Sequence, residues 1–509
     1  MSVSNAATLV DHNLEAGRSD RVAVITDDDQ RLTFGDMFTL TNRVAYRLAD
    51  LGAGREDRVL MILDDTPAFP ASFLGAMRIG AVPIPTNFLA RPDDFGYFLD
   101  DSYATVAIVD SAFLDKLEPF FRERPEVMVV VANGAAPDGA QSLDEWMAED
   151  TGEVAPSVAH PEDMAFWLYS SGSTGRPKGV VHSHADVWFT CQQYAGEVIG
   201  STEDDVHFST TKMFHAYGLG NNLTFPMWSG ATAVYLTGRP APDRALARVV
   251  AHKPTLLFSV PTLYNLMLDA PGFSDIDFSS VRLGISAAEP LPPEVWRRFR
   301  DATGVEILDG VGSTEMLHIY CSNRPGSVEP GTSGVPVPGY ELAIRGEDGR
   351  TLGPDESGEL MVRGGSALSY YWHQRDKTRA SFQGDWFASG DRYHVSAGGS
   401  YTYEGRVDDM MKVGGLWVSP IEIENRLMEH PSVSEAAVVG LDVDGLTRIK
   451  AFVIARGEPG DGLVAELQGW CKEALQRHQF PHFVDFVDDF PRTATGKIQR
   501  FMLRQPGVP

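Results

Sequence analysis

Cysteine is scarce in this sequence, and long apolar runs are missing from it. The three cysteines, Cys191, Cys321 and Cys471, are odd in number and widely spaced, which predicts neither a disulfide framework nor a metal-ligand cluster. Nowhere do 18 apolar residues follow one another, and the N-terminus lacks the basic and apolar regions of a signal peptide. We therefore expect a cytoplasmic protein, kept in a reducing compartment, with no membrane span.

Positive charge is scarce as well. The 70 acidic and 43 basic side chains give a formal net charge of −27, which would repel a nucleic-acid backbone or an anionic membrane surface. Only nine of the basic residues are lysines, yet Lys178, Lys412 and Lys497 each lie in a polar stretch that contains glycine. These lysines are candidates for contact with phosphate or carboxylate, so a small anionic ligand is expected.

Short apolar runs alternate with segments of helical periodicity through more than half of the chain. The runs at 59–63, 106–109 and 256–260 are strand-like, and Thr33 and Asp36 form a predicted capping box ahead of an amphipathic helix. This alternation predicts an α/β fold in which helices cover parallel sheets.

A chain of 509 residues is too long for a single core. From Gly331 the composition shifts to glycine, proline and strand-like segments, and a second boundary falls at 404–409. We predict a large N-terminal domain at 1–407, with a mostly β subdomain at 331–407, and a small mobile α+β domain at 408–509.

The most informative stretch is the sequence LYSSGSTGRPKGVVHS at 168–183, which follows the apolar run 165–169. Glycines let backbone N–H groups converge, hydroxyls add donors, and Lys178 supplies charge for phosphate oxygens. The order of residues departs from GxxxxGK[ST] because Lys178 follows Arg176 and Pro177, so an ordinary P-loop NTPase is disfavoured. For this loop alone, a Gly/Ser linker with a solvated lysine remains the alternative interpretation.

Two other polar turns follow apolar runs, at 287–290 and 309–315. In open α/β sheets, ligands bind outside the carboxyl ends of the strands. These turns and the loop at 170–179 could therefore line one crevice.

Five motifs, taken in their order along the chain, resemble the adenylate-forming superfamily of acyl-CoA synthetases, carrier-protein adenylation domains and luciferases. The motifs are YSSGSTGRPKG at 169–179, GSTE at 312–315, SGD at 389–391, GRVD at 405–408 and PRTATGK at 491–497. Within that superfamily, three segments are most similar to benzoate-CoA ligases, which points to an aromatic acid: YGLGN at 217–221, LDGVGSTEMLH at 308–318 and GKIQR at 496–500.

The resemblance implies a two-step reaction with ATP, Mg²⁺ and coenzyme A. A carboxylate attacks the α-phosphate of ATP and expels pyrophosphate, and the CoA thiol then attacks the acyl adenylate and releases AMP. An anion that attacks an anion needs charge neutralised along the path, and Lys497 matches the family's lysine for this task. Asp408 matches the hinge about which the small domain rotates between the steps.

The remaining roles are also implied by the resemblance. Thr314 and Glu315 would assist Lys497 in catalysis, with Glu315 as the metal ligand, since Mg²⁺ prefers carboxylate oxygen. The nucleotide would be bound by Ser170, Ser171, Gly172, Ser173, Thr174, Gly175, Lys178, Ala287, Ala288, Glu289, Asp309, Gly310, Val311, Gly312, Ser313, Asp391 and Arg406. The acid would be bound by His215, Ala216, Tyr217, Gly218, Gly310, His318 and Ile319, and CoA by Lys412, Gly414, Gly415 and Trp417.

Two positions depart from the family pattern. Val311 stands where much of the superfamily has an aromatic residue, so stacking on adenine must be weaker or come from elsewhere. His215 stands where benzoate-type enzymes usually carry Phe, which indicates a hydroxylated or larger ring, or only a neutral gate residue. A substituted benzoate or naphthoate is therefore one hypothesis for the acid.

Several interpretations stay open. Asp391 and Thr314, taken singly, could be turn or capping residues, and Glu289 could simply accept from backbone donors beside Pro290. A carrier-protein phosphopantetheine could replace CoA as the acceptor, and the protein could be a homodimer. A catalytically silent binding protein on the same fold is the alternative from another class.

Overall fold

The computed structural model describes residues 5–170, 176–406, 409–413, 416–443, 446–476, 478–492 and 498–504. Within these ranges, strands are numbered from β1 and helices from α1 in chain order. None of the helices described there combines the length and the apolar character that a bilayer crossing requires.

The largest sheet has nine strands in the order β16-β15-β14-β13-β12-β10-β11-β1-β2. Strands β14 to β1 of this order pair in parallel, whereas β2, β15 and β16 are antiparallel to their neighbours. The strands are β1 Val22–Ile25, β2 Arg31–Thr33, β10 Val206–Ser209, β11 Thr232–Val234, β12 Leu256–Ser259, β13 Leu283–Ser286, β14 Ile307–Gly312, β15 Ile319–Ser322 and β16 Val335–Pro336.

A second, wholly parallel sheet has the order β4-β3-β5-β6-β7, and a small antiparallel sheet has the order β19-β9-β8. The parallel strands are β3 Arg58–Ile62, β4 Val82–Pro85, β5 Val106–Asp110, β6 Met128–Ala132 and β7 Gln141–Ser142. The antiparallel strands are β8 Met164–Ser170, β9 Lys178–Ser183 and β19 Tyr370–Tyr371. Large apolar side chains such as Phe73 and Trp167 are fully buried in the core shared by these sheets.

Helices cover both large sheets, as the alternating pattern predicts. They are α1 Leu9–Glu15, α2 Phe34–Asp50, α3 Ala68–Arg78, α4 Pro92–Ser102, α5 Leu114–Arg122, α6 Leu143–Ala148, α7 His184–Thr190, α8 Ala216–Leu219, α9 Phe225–Ser229, α10 Pro242–His252, α11 Pro261–Leu268 and α12 Pro293–Thr303. The predicted capping box is confirmed at α2, where Thr33 Oγ1 accepts from Asp36 N and Asp36 accepts from Thr33 N. A second core, which includes Phe208, Leu257 and Phe299, fills the space between α10–α12 and the nine-stranded sheet.

A five-stranded antiparallel sheet follows in the chain. It contains β17 Tyr340–Arg345, β18 Gly358–Gly364, β20 Phe382–Gln383, β21 Trp386–Val395 and β22 Tyr401–Arg406, with the short helix α13 Arg375–Ala380 beside it. The last part of the chain folds around a core of its own. Its elements are β23 Met411–Val413, β24 Leu416–Val418, α14 Pro420–Met428, β25 Val433–Val443, β26 Leu446–Ala455, α15 Leu463–Ala474, β27 Phe483–Phe486 and α16 Arg500–Leu503. The predicted α/β class, with a large N-terminal and a small C-terminal domain, is confirmed.

Candidate active site

Two of the three predicted nucleotide turns, at 287–290 and 309–315, follow neighbouring strands of the nine-stranded sheet, whereas the loop at 170–179 follows β8 of the small sheet. Ser259 at the end of β12 pairs with Ser286 at the end of β13, and Ser286 pairs with Asp309 of β14. Because parallel strands in register end at one edge, the turns after β12, β13 and β14 meet there. This edge is the carboxyl edge of the sheet.

Strand β14 is longer than the sequence predicts. The expected turn at 309–315 is wrong over its first half, because β14 continues to Gly312 and pairs with β15 in antiparallel fashion. The turn itself is a single 3₁₀ turn at Thr314–Met316. Pairing with β15 gives Gly310, Val311 and Gly312 partners in a β-ladder. The polar sequence alone predicts a loop for these residues.

Two glycines make this hairpin possible. A Cβ atom on Gly312 would lie 2.5 Å from His318 O, and one on Gly310 would lie 2.9 Å from Cys321 O. Both distances are too short for a side chain, so the backbones of β14 and β15 approach more closely than other residues would allow. The hairpin thereby fixes where Thr314 and Glu315 emerge.

Lys178, Glu315 and Tyr371 meet at the base of the predicted phosphate loop. Lys178 Nζ lies 3.7 Å from Glu315 Oε1, and Tyr371 OH donates to the same oxygen at 2.9 Å. The ammonium also lies 4.7 Å from the centroid of the Tyr371 ring, a cation–π contact. Burial lowers the pKa of Lys178, while Glu315 acts in the opposite direction.

His182 contacts the Thr314 backbone and the Asp186 side chain. Its Nδ1 lies 2.7 Å from Asp186 Oδ2, and its Nε2 lies 2.7 Å from Thr314 O. Asp186 also accepts from Ser183 at the start of α7. The ring is fully buried and packs on Phe166, so it connects α7 to the turn that carries Glu315.

Asp391 and Arg406 face each other across β21 and β22. They are register partners, and Arg406 Nη1 lies 2.9 Å from Asp391 Oδ1. Gly390 precedes Asp391 with φ of 71°, and a Cβ atom there would lie 2.8 Å from Arg406 Nη2. The positive φ of Gly390 thus gives β21 a local backbone conformation that favours glycine beside this pair.

Tyr217 is anchored through its hydroxyl group. The hydroxyl donates to Ile285 O at 3.1 Å, with Ser259 O at 3.4 Å, so it is engaged with the ends of β13 and β12. The preceding turn is tightly closed, because a Cβ atom on Gly218 would lie 2.1 Å from Lys212 O. The hydroxyl group of Tyr217 therefore already has hydrogen-bond acceptors within the protein. Its ring is the part that can form a wall of the predicted acid pocket.

His318 lies in an aromatic box beside Tyr217. Its ring centroid is 5.5 Å from that of Tyr217, 5.1 Å from that of Tyr194 and 4.5 Å from that of Phe225. His318 Nε2 lies 3.2 Å from Asn221 Oδ1. Burial lowers the pKa of His318 to about 3, so the imidazole is neutral at physiological pH.

Asp309 and Glu289 lie at the same sheet edge. Burial raises the pKa of Asp309 to about 8, and its Oδ2 accepts from Leu291 N at 3.2 Å. Glu289 Oε2 accepts from Thr262 Oγ1 at 2.8 Å, at the start of α11. Ala288, between the two predicted adenine neighbours Ala287 and Glu289, adopts φ of 77°, a left-handed conformation that is uncommon for alanine.

Comparison with known proteins identifies the family to which these residues belong. The AMP-binding enzyme profile matches residues 10–372, and the profile of the AMP-binding enzyme C-terminal domain matches residues 422–497. The chain belongs to the AMP-binding enzyme family. The resemblance seen in the five motifs is thereby confirmed.

Two curated relatives and one solved structure resemble this AMP-binding enzyme over nearly its whole length. It is 44% identical to a 4-hydroxybenzoate–CoA/benzoate–CoA ligase of Rhodopseudomonas palustris, over 98% of this chain and 93% of the relative. It is 45% identical to a benzoate–CoA ligase of Thauera aromatica, over 98% of this chain and 95% of the relative. The crystal structure of an anthranilate CoA ligase in complex with anthranoyl-AMP superposes with a TM-score of 0.96, at 38% identity, over 99% of this chain and 97% of that one.

Some predicted residues of the AMP-binding enzyme lie outside the described ranges: Ser171, Gly172, Ser173, Thr174, Gly175, Asp408, Gly414, Gly415 and Lys497. Of the predicted CoA residues, Lys412 and Trp417 are register partners in β23 and β24, and both are exposed. The Trp417 ring centroid lies 5.7 Å from the guanidinium carbon of Arg392, the residue after Asp391.

Sequence reasoning missed His182, Tyr371, Asn221 and Tyr194. Tyr371 contacts Glu315 because β19 pairs with β9, the strand that Lys178 begins. His182, also in β9, contacts the backbone oxygen of Thr314 just beyond the end of β14. No local pattern predicts either contact. The only signal for His182 is its spacing of four residues from Asp186, which is also the spacing of many surface pairs.

We predict that Gly312→Ala weakens ATP binding about tenfold, because the added Cβ must push the β15 backbone away and overpacking of this kind costs ~1–3 kcal/mol. Isothermal titration calorimetry with ATP measures the effect. Gly54→Ala is the matched control, since a Cβ atom there meets nothing within 4 Å. Equal ATP affinity in Gly312→Ala and wild type would contradict the tight-hairpin argument.

We predict that Tyr371→Phe weakens ATP binding about tenfold when Mg²⁺ is present and much less when it is absent. The change removes a hydrogen bond to a charged carboxylate, worth ~1.5–3 kcal/mol, but keeps the ring that faces Lys178. Tyr370→Phe, at the more exposed neighbouring position, serves as the control. Equal losses with and without Mg²⁺ would mean that the hydroxyl does not act through Glu315.

Proposed function

We propose that this chain is an ATP-dependent aryl-CoA ligase. It converts an aromatic carboxylic acid and ATP into an aryl adenylate and pyrophosphate, and then converts the adenylate and CoA into an aryl-CoA thioester and AMP. The observation that carries the proposal is that one short connection, between β14 and β15, contains both Glu315 of the largely buried Lys178–Glu315 contact and His318 of the Tyr217–His318 pair. The relatives named for 4-hydroxybenzoate, benzoate and anthranilate support an aromatic acid.

The acid pocket suits a flat, neutral ring. Tyr217 and His318 offer aromatic faces, and His318 is neutral because burial depresses its pKa. Gly310, also predicted to line this pocket, has no side chain, and β15 packs closely against it. A planar aryl group needs a slot of this kind, whereas a long flexible chain needs a tunnel.

In the first step, an oxygen of the acid forms a bond to the α-phosphorus while the bond between the α- and β-phosphates breaks, and pyrophosphate leaves. Phosphoryl-type transfer depends mainly on positioning and on charge stabilisation. Lys178 would bind a phosphate, Asp391 would accept from the ribose hydroxyls, and Arg406 keeps Asp391 oriented. Lys497 would neutralise the two anions that approach each other.

Magnesium fits this site as a partner of the nucleotide. Among the described residues, no three His, Cys, Asp or Glu side chains gather into a metal site, so a cation here would need phosphate oxygens as further ligands. Glu315 would be its protein ligand, because a single carboxylate plus phosphates and water is the usual donor set for Mg²⁺. Bound there, the cation would neutralise phosphate charge.

In the second step, the thiol sulfur of CoA loses its proton to solvent and forms a bond to the adenylate carbonyl carbon, while the bond from that carbon to the phosphate oxygen breaks and AMP leaves with the electron pair. We propose that the small domain rotates about Asp408 between the steps, so that Lys497 withdraws and the loop from Lys412 to Trp417 borders the thiol channel. Polar, partly exposed interfaces between domains favour such motions.

Mass spectrometry tests the overall reaction. The protein is incubated with ATP, CoA, MgCl₂ and equal amounts of benzoate, 4-hydroxybenzoate, 2-aminobenzoate and hexanoate, and we expect aryl-CoA products with little hexanoyl-CoA. Preference for a hydroxylated ring over benzoate would support a substrate role for His215. Adenylate without thioester would favour a carrier protein as the acceptor, and absence of ATP–pyrophosphate exchange with every acid would support a binding protein instead.

The variant Lys497→Ala tests whether Lys497 acts in adenylate formation, in thioester formation or in both. We expect the rate of adenylate formation to fall by at least about a hundredfold, because removal of one charge-stabilising group typically lowers a rate by that factor or more. Thioester formation from supplied aryl adenylate should stay within about threefold, because the lysine acts only in the first step. Lys116→Ala, at an exposed position of α5, is the control. Equal losses in both half-reactions would reject this assignment.

A further inference from the structure

Helix α11 presents a polar stripe to the C-terminal domain. Thr262, Asn265 and Asp269, the last of which caps the helix, are spaced by three and four residues and so share one face. On the opposite side, Tyr264 and Met267 are fully buried in the core under the sheet. We call Thr262, Asn265 and Asp269 the docking stripe.

Each residue of the docking stripe contacts a different part of the C-terminal domain. Asn265 Nδ2 donates to Ser434 O at 3.2 Å, and Asp269 Oδ1 lies 2.6 Å from Arg456 Nη1. Thr262 Oγ1 accepts from Arg492 Nη1 at 3.4 Å. Contacts from β25, from the end of β26 and from the segment after β27 thus converge on one helix.

The stripe is braced from within the large domain. Arg298 of α12 donates to Asn265 Oδ1 at 3.2 Å and to Asp269 Oδ1 at 2.7 Å. At the other end, Thr262 Oγ1 donates to Glu289. Because these bonds orient Thr262, Asn265 and Asp269 from the large-domain side, the stripe is a preformed surface.

The stripe lies close to the proposed chemistry. Helix α11 starts directly after β12, whose last residue, Ser259, is within reach of the Tyr217 hydroxyl. Arg492, which docks on Thr262, forms an isolated β-bridge with Ile498 and an ion pair with Glu435. The docked domain is therefore anchored at the carboxyl edge of the nine-stranded sheet, next to the acid pocket.

We infer that the docking stripe is a latch that holds the C-terminal domain in the orientation required for adenylate formation, with Asp269 and Arg456 as positioning residues. The inference rests on the proposed function, in which the domain must later leave this orientation. Asp269 and Arg456 are each about one-third exposed, and exposed ion pairs are individually weak. Contacts of this strength suit a surface that forms and separates in every catalytic cycle.

Arg456→Glu tests the latch, because it places a carboxylate against Asp269. We expect adenylate formation, followed as pyrophosphate release, to fall about tenfold, since a population shift away from the docked orientation lowers the rate in proportion. Thioester formation from supplied aryl adenylate and CoA should be unchanged or faster. A residue that only stabilises the fold would lower both rates together.

The double variant Asp269→Asn, Arg456→Glu provides a rescue. It removes the repulsion and leaves Arg298 free to pair with the new glutamate, so adenylate formation should return to within about threefold of wild type. The rescue cannot come from the Arg456 contact with Val433 O, which is lost in both variants. Arg297→Gln is the matched control, since it breaks an exposed pair with Glu294 that lies wholly within α12.

Three outcomes overturn the inference: equal losses in both half-reactions, no change in either, or failure of the double variant to recover. Wild type is assayed in parallel to separate this inference from the proposed function. If wild type forms no adenylate with any aryl acid, the proposed function is wrong and the latch is rejected with it. If wild type is active but Arg456→Glu shows no split between the half-reactions, only the latch is rejected.

Discussion

The largely buried contact between Lys178 and Glu315 is the constraint on which the site depends. Lys178 begins β9 of the small sheet, whereas Glu315 follows β14 of the nine-stranded sheet. Burial of an ammonium or a carboxylate is unfavourable unless each finds a partner, so the contact fixes the two side chains toward each other where the strand ends meet. Tyr371 and His182 add hydrogen bonds to the same turn and leave it little freedom.

The net negative charge of the protein favours a nucleotide site in which the cation is close to the phosphates and shielded from solvent. A protein of net charge −27 repels a nucleotide polyphosphate at a distance, so binding must come from short-range groups in a region of low dielectric. Lys178 is largely buried, and an ion pair there is screened far less by salt than a surface pair would be.

The sequence predicts the fold class well, but not the detailed packing around the predicted site. Alternating apolar runs encode local structure, so the parallel sheets and the polar turns at their carboxyl edge follow directly from them. The continuation of β14 to Gly312 does not, because it depends on β15 as a partner. Tyr371 and His182 were missed for the same reason. Their contacts with Glu315 and Thr314 form only when strands that are distant in sequence come together, and the spacing of residues along the chain does not predict such contacts.

The distribution of buried surface favours the proposed rotation of the C-terminal domain. The large domain has its own apolar cores, and the C-terminal domain has two others. Displacement of the C-terminal domain from α11 therefore breaks polar contacts such as Asn265 with Ser434 and Asp269 with Arg456 and, among the described residues, removes only Met428 from the edge of the core under α10–α12. Water can replace most of the lost hydrogen bonds, so the free-energy difference between the docked and rotated arrangements is small compared with the stability of either domain.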